Sequence, residues 1–182
     1  MGKVRIIGGQ WRGRLLDVPN HKGLRPTPDR VRETLFNWLQ YQVPGARCLD
    51  VFAGSGALGF EAASRGAQSV VMLEKERPVA SALKTQAKRL GGSIEVMHAD
   101  ALKWLQTVHG QPFDLVFLDP PFDAGWLPKV LPLLATPGRL ATDARIYMEF
   151  SSRSETPPLP EGWRLAKRKT AGEVTFALLR VR

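Results

Sequence analysis

Between residues 46 and 118 the chain alternates short apolar runs with amphipathic stretches, and this rhythm limits the fold more than any other feature. Ala46–Val51, Ser69–Leu73, Ser93–Met97 and Phe113–Leu118 read as strands. Helical stretches separate them: one after a Gly-rich turn, one running to Leu90, and a short one before Phe113. Strands joined through helices need crossover connections, which are right-handed and impose parallel pairing. The expected fold class is therefore α/β, a Rossmann-like, mostly parallel sheet covered on both faces.

The flanks extend this core. Val4 to Ile7 reads as a strand ending at Gly8-Gly9, and Arg12 to Val18 as its partner in a small basic hairpin. Thr27-Pro28 predicts a helix start, with Thr27 as N-cap, Pro28 in the first position and Asp29 in the first turn. Val31, Leu35, Trp38 and Leu39 carry that helix to about Tyr41. Arg145–Phe150 is a further strand, 151–162 a polar Pro-rich loop, and 164–169 with 174–181 an antiparallel hairpin. This divides the chain into a basic N-terminal extension over 1–26 and one domain over 27–182.

With 43% hydrophobic and 24% charged residues, the composition is that of a folded globule and excludes a disordered chain. No apolar run approaches the roughly 20 residues of a membrane helix, and Met1-Gly2-Lys3-Val4-Arg5 is not followed by the apolar stretch of a secretory signal. Cys48 is the lone cysteine, which excludes an internal disulfide and reads as a small buried hydrophobe. No Cys/His spacing suits a metal, and none is expected. These features point to a cytoplasmic protein, expected to act as a monomer.

The net charge of +9 is unevenly distributed. Residues 1–32 hold +6 and residues 164–182 hold +5, leaving −2 for everything between. Basic ends around a near-neutral body suggest a polyanion gripped outside the active site. A generally basic surface is the plainer alternative.

Three positions fall at expected strand C-terminal ends, where open α/β sheets bind ligands. Asp50-Val51-Phe52-Ala53-Gly54-Ser55-Gly56-Ala57-Leu58-Gly59 contains G-x-G-x-x-G between a strand and a helix. The glycines allow a tight turn and close approach to a ligand, but nicotinamide enzymes share the motif. Asp50 separates the cases. A carboxylate there would repel a pyrophosphate, whereas it suits an amino-acid cofactor carrying ammonium and sulfonium charges. Simple helix capping by Asp50 is the structural alternative. Glu74 follows about twenty residues after Gly54, where an acid can accept from ribose hydroxyls. Asp100 is the candidate partner for an adenine amino group. Phe52, Ser55, Gly56, Lys75 and Ala101 complete the expected cofactor shell.

Leu118-Asp119-Pro120-Pro121-Phe122 carries the most specific signal. Exocyclic base amines are weak nucleophiles because the lone pair is delocalised into the ring. The Asp119 carboxylate, helped by the Pro120 carbonyl, can orient the N–H bonds and stabilise positive charge developing on nitrogen. Pro120 and Pro121 stiffen the backbone, and Phe122 offers a face for an unstacked base. An Asp-Pro turn without chemistry is the structural alternative.

Asp119-Pro120-Pro121-Phe122 is similar to the D/N-P-P-aromatic motif of amino-methyltransferases. Arg5-Ile6-Ile7-Gly8-Gly9, Arg12-Gly13-Arg14, Arg25-Pro26-Thr27 and Asp29-Arg30-Val31-Arg32-Glu33, with Leu35-Phe36-Asn37, resemble the opening of the RsmD family of bacterial 16S rRNA guanine-N2 methyltransferases. The resemblance implies a seven-stranded class I methyltransferase sheet with a reversed final hairpin, S-adenosylmethionine as cofactor, and N2-methylation of guanine 966 on the small ribosomal subunit or its assembly intermediate. It implies that Asp50, Gly54, Gly56, Glu74 and Asp100 hold the cofactor, and that Asp119, Pro120 and Phe122 hold the guanine. The family's last hairpin commonly carries a Tyr-Gly-Asp-Thr-like turn, where this chain reads Thr170-Ala171-Gly172-Glu173-Val174-Thr175.

On this basis Arg5, Arg12, Arg14, Arg25, Arg30, Arg32, Lys167, Arg168 and Lys169 are the expected 16S rRNA phosphate contacts. Alternatives are the same chemistry on adenine N6 or a glutamine amide, a nicotinamide-dependent reductase, and a catalytically silent rRNA-binding assembly factor.

Overall fold

The computed structural model describes residues 2–107, 110–122 and 125–182. Two strands open the chain, β1 (Gly2–Arg5) and β2 (Leu15–Val18), paired antiparallel as a hairpin. Then come α1 (Asp29–Trp38), β3 (Arg47–Asp50), α2 (Ala57–Ser64), β4 (Ser69–Glu74), α3 (Arg77–Leu90), β5 (Ile94–His98), α4 (Ala101–Leu105) and β6 (Phe113–Leu118). The chain closes with α5 (Leu127–Leu134), β7 (Leu140–Ser151), β8 (Arg164–Ala171) and β9 (Val174–Arg180). Seven strands form one sheet in the order β5-β4-β3-β6-β7-β9-β8. Pairing is parallel from β5 through β7, while β9 runs antiparallel to both of its neighbours. The strand order reverses between β3 and β6, so a crevice opens at their C-terminal ends.

Strand alternation builds two cores. Cys48, Val70, Met72, Leu115, Phe117, Tyr147, Phe176 and Leu178 face one side, with α1, α2, α3 and the N-terminal hairpin packed on them. Leu49, Val51, Leu73, Val116, Leu118, Ile146, Met148 and Leu179 face the other, under α4 and α5. The near-continuous apolar character of β3 and β6 follows from burial on both faces. No helix among the described residues is long and apolar enough to cross a membrane.

The N-terminal extension shares the first core through Val4, Ile6, Trp11, Leu16 and Val18. A buried acid anchors it. Glu61, fully buried on α2, accepts from the N–H groups of Ile7 and Gly8, both at 2.9 Å, and pairs with Arg32 at 3.1 Å and Arg65 at 2.8 Å. Gly9 is required there. A Cβ on Gly9, where φ is +78°, would lie 1.9 Å from the Ser64 carbonyl oxygen. Arg32, expected to contact RNA, is 1% exposed and donates to Glu61, Asp29 and the carbonyls of Thr27 and Arg5. Every branch of its guanidinium is spent inside the protein, so Arg32 is an internal tie and not a phosphate contact.

Two other expectations change. Pro28, not Thr27, is the N-cap of α1, and no side chain caps that helix. The Thr27 hydroxyl instead donates to Asp119 Oδ2 at 3.2 Å. Sequence periodicity gave no element between β6 and β7, yet α5 forms there despite Pro128 and Pro132. Pro128 sits in the first turn, where no N–H partner is needed, and Leu127, Val130, Leu131 and Leu134 form one buried stripe.

Candidate active site at the strand ends

Register places the acids in a staggered row. Asp50 pairs with Met72 on β4 and with Phe117 on β6, so Glu74 and Asp119 each lie two residues farther along their strands. Glu74 in turn pairs with His98, two residues before Asp100. Four carboxyls thus line the C-terminal edge of the sheet from β5 to β6.

Asp50 is 1% exposed. Its Oδ2 accepts from the Gly59 N–H at 3.1 Å, one of the free donors at the start of α2, so capping is part of its role. Its Oδ1 is also buried and makes no hydrogen bond of ordinary geometry among the described residues. Burial, and next the Asp119 charge, pushes its carboxyl up to about 7, with the Gly59 and Phe52 N–H groups offsetting part of that rise. A buried carboxylate oxygen without a partner is costly, and a bound cation would remove that cost.

The glycine loop is shaped by packing as well as by φ. Gly54 and Gly56 have φ of +54° and +81°, and a Cβ on Gly56 would lie 2.4 Å from the Phe60 ring. Glu74 holds this loop: its Oε2 accepts from Gly54 N–H at 2.9 Å and its Oε1 from Glu76 N–H at 3.0 Å. Each oxygen keeps a second lone pair for a ligand hydroxyl. Asp100 caps α4, accepting from Lys103 N–H at 3.0 Å through Oδ1, which leaves Oδ2 available. Ser55 is buried, and its hydroxyl accepts from Ala57 N–H at 3.3 Å. Phe52 is half-buried against Trp126, with ring centroids 5.5 Å apart. Ala101 is buried, whereas Lys75 is exposed and only its carbonyl takes a contact, from His98 Nε2 at 2.9 Å. The ligand-facing set is acidic, made of the Asp50, Glu74 and Asp100 carboxyls. It fits a cationic amino-acid group joined to a nucleoside, and suits a pyrophosphate poorly.

Asp119 is half-buried, Pro120 buried, and Pro121 and Phe122 exposed, Phe122 at 43%. Three residues around Asp119 had no place in the sequence-based site. Thr27 donates to it, as above. Glu149, 4% exposed on β7, shares a side-chain hydrogen bond with it, and Tyr147 donates to Glu149 Oε1 at 2.7 Å. Burial, then the hydrogen bond with Asp119, holds the Glu149 carboxyl well above the usual carboxylate range. Burial and the neighbouring Glu149 raise the Tyr147 phenol as well. Glu149 lies two residues before the end of β7, so it lacked the strand-closing position that marked Asp50 and Glu74; its signal was a lone acid within the otherwise apolar run Ile146–Phe150.

Arg5, Arg12, Arg14, Arg25 and Arg30 are exposed around the N-terminal hairpin and the start of α1. Lys167, Arg168 and Lys169 are exposed on the edge strand β8. Arg168 is partly committed, donating to Thr156 Oγ1 at 2.6 Å with its guanidinium 5.7 Å from the Phe150 ring centroid.

The family model described as Conserved hypothetical protein 95 matches residues 4–180. A protein of Escherichia coli strain K12 named Ribosomal RNA small subunit methyltransferase D is 48% identical over 178 residues, covering 97% of this chain and 89% of that protein. Its namesake in Haemophilus influenzae is 47% identical over 181 residues, covering 97% and 93%. The solved structure titled putative methyltransferase yhhF from Escherichia coli superposes with a TM-score of 0.91 at 43% identity, covering 100% of this chain and 99% of that one. With a matched sequence from end to end and the same seven-stranded sheet, the chain belongs to the RsmD family.

Proposed function

We propose that this protein is an rRNA methyltransferase that moves a methyl group from S-adenosylmethionine to the exocyclic N2 of guanine 966 in 16S rRNA, on the small subunit or an assembly intermediate. The supporting observation is the placement of Asp50 and Asp119 at the switch point. They lie on adjacent strands and one sheet face, close enough for Asp119 to perturb Asp50, with Phe122 exposed beyond. One acid can hold a cationic cofactor while the other receives an amine. The relatives' names, which specify ribosomal RNA of the small subunit, support the choice of nucleic acid.

In this reading Asp50 Oδ1 takes the cofactor ammonium, Glu74 the ribose hydroxyls and Asp100 the adenine amine. When bound, S-adenosylmethionine supplies an electrophilic methyl: the amine nitrogen forms a bond to it as the carbon–sulfur bond breaks, leaving a neutral thioether. Asp119 accepts one N2–H and the Pro120 carbonyl the other, which turns the nitrogen lone pair toward the methyl. Phe122 stacks the unstacked guanine. The methylated nitrogen is briefly cationic and acidic, so it gives up its extra proton readily and Asp119 need not be a strong base. Arg5, Arg12, Arg14, Arg25, Arg30, Lys167 and Lys169 hold phosphates without reading sequence.

The test is incubation with methyl-labelled cofactor and small subunits lacking the modification, followed by nucleoside mass spectrometry and mapping. N2-methylguanine at position 966 is the expected product. N6-methyladenine, or no transfer to any base, would overturn the assignment. Asp119→Ala should lower turnover roughly 100- to 1,000-fold with cofactor binding intact.

A further inference from the structure

Glu149 is a buried acid for which the reaction as described has no use, and it stands directly beside the residue that does the most. Strands β6 and β7 run parallel with Leu118 opposite Met148, so the next residue on each strand, Asp119 and Glu149, come side by side. Both continue the sheet face set by Phe117 and Tyr147, the face that α1 covers. Thr27, just before α1, donates to Asp119 Oδ2 at 3.2 Å. The four side chains make one chain of hydrogen bonds, Tyr147 to Glu149 to Asp119, with Thr27 closing the far end.

We propose that Glu149 is a positioning residue for methyl transfer, a neutral carboxylic acid that donates to Asp119 and, together with Thr27, fixes the carboxylate that receives the amine. This rests on the reading of Asp119 as amine acceptor and adds the means by which that acceptor is held.

Proton bookkeeping supports it. Tyr147 gives its only proton to Glu149 Oε1, and the Glu149 carboxyl shares a second side-chain hydrogen bond with Asp119. Two ionised carboxylates in that contact would repel strongly out of water. None of the ion pairs among the described residues includes either acid. Across β9, the residue paired with Glu149 is Phe176, which offers no charge. One proton between the two acids resolves the conflict, and burial assigns it to Glu149. Asp119 then accepts two internal hydrogen bonds, keeps lone pairs for the substrate amine, and cannot rotate away.

Glu149→Gln preserves this arrangement, since an amide can donate to Asp119 and accept from Tyr147. Glu149→Leu removes both functions at similar size. Each variant, with Asp119→Ala as reference, is assayed for kcat and KM on small subunits lacking the modification, for cofactor Kd, and for folding by circular dichroism. Gln is expected to stay within about 3-fold of wild-type kcat, and Leu to lose roughly 30-fold in kcat with KM and cofactor Kd little changed. If Leu does not fold, Glu149→Met takes its place. A Gln variant as inactive as Asp119→Ala would overturn the proposal, because an ionised acid would then be required. So would an apolar variant with normal kcat. An active Asp119→Ala would instead overturn the amine-acceptor reading itself, and this proposal with it.

Discussion

Asn in place of Asp50 should stabilise the cofactor-free protein at alkaline pH while weakening cofactor binding, and the two effects share one cause. The Asp50 carboxyl is buried, with one oxygen on the Gly59 N–H and the other unpartnered. Its folded-state value is about 7, against 3.8 for an ordinary aspartate. Because the folded value is the higher one, the folded protein holds this proton longer than the unfolded chain. The Asp50 contribution therefore favours the fold at acid pH and is lost as pH rises from about 4 through about 7. At roughly 1.4 kcal/mol per pKa unit, the ionised group costs about 4 kcal/mol at pH 8, and between pH 5 and pH 8 the cost grows by about 3 kcal/mol. Asn carries no such charge. Its amide protons add a penalty of their own, but one that does not vary with pH. Urea unfolding of both proteins without cofactor at pH 5 and pH 8 gives the difference, and other titrating groups cancel in it. Asp50→Asn should gain on wild type by about 3 kcal/mol across that interval. Calorimetry at pH 8 should show cofactor binding weakened by roughly 10- to 100-fold, the usual worth of a hydrogen bond to a charged group. A stability difference that does not change with pH would refute the raised carboxyl. Unchanged cofactor affinity would refute its role as ammonium partner.

Arg32→Met should destabilise the fold by about 3–5 kcal/mol, because it leaves Glu61 buried with one of its two cations missing; thermal unfolding measures this, and the salt slope of RNA binding should not change. Gly56→Ala should cost about 1–3 kcal/mol or more, since its φ is +81° and the new methyl meets Phe60, and a chemical denaturation midpoint reads the loss. Replacing Arg12, Arg14, Lys167 and Lys169 by Gln should flatten the dependence of rRNA affinity on salt, by about one slope unit for each phosphate contact removed; an unchanged slope would take them out of the interface.

Most of the sheet was legible in the sequence because its strands are short apolar runs bounded by glycines and helices. Phe113–Leu118 is bounded in the structure as its pattern predicts, and the others shift by a residue or a few, with β7 extended N-terminally. Helix α5 was hidden by its prolines, whose disruptive effect is weak where Pro128 falls in the first turn and a buried stripe supplies the stability. Thr27 and Arg32 show a different limit. Each has a residue type suited to a local role, a cap or a surface cation, but tertiary neighbours claim it: Asp119 lies 92 positions from Thr27, and Glu61 lies 29 from Arg32. No window of sequence contains those pairs.

Acids and bases are also separated in space for a reason that the charge tally only hints at. Asp50, Glu74, Asp100, Asp119 and Glu149 lie at or within two residues of the C-terminal ends of five strands, and none of them forms an ion pair among the described residues. Lys and Arg side chains do pair elsewhere, at Glu61, Asp17 and Asp143, so cations are not scarce. Keeping them out of the strand-end row leaves its negative field for a ligand, at the cost of carboxyls raised by burial first and by neighbouring acids second, at Asp50 and Glu149. Phosphates would be repelled by that same row, so under the proposed function a polyanionic substrate would be gripped at the rim, by the N-terminal hairpin and β8, with only a base reaching inward. On that proposal, basic ends and an acidic centre are two requirements of a single geometry, in which a backbone would be attracted and a base received at different places.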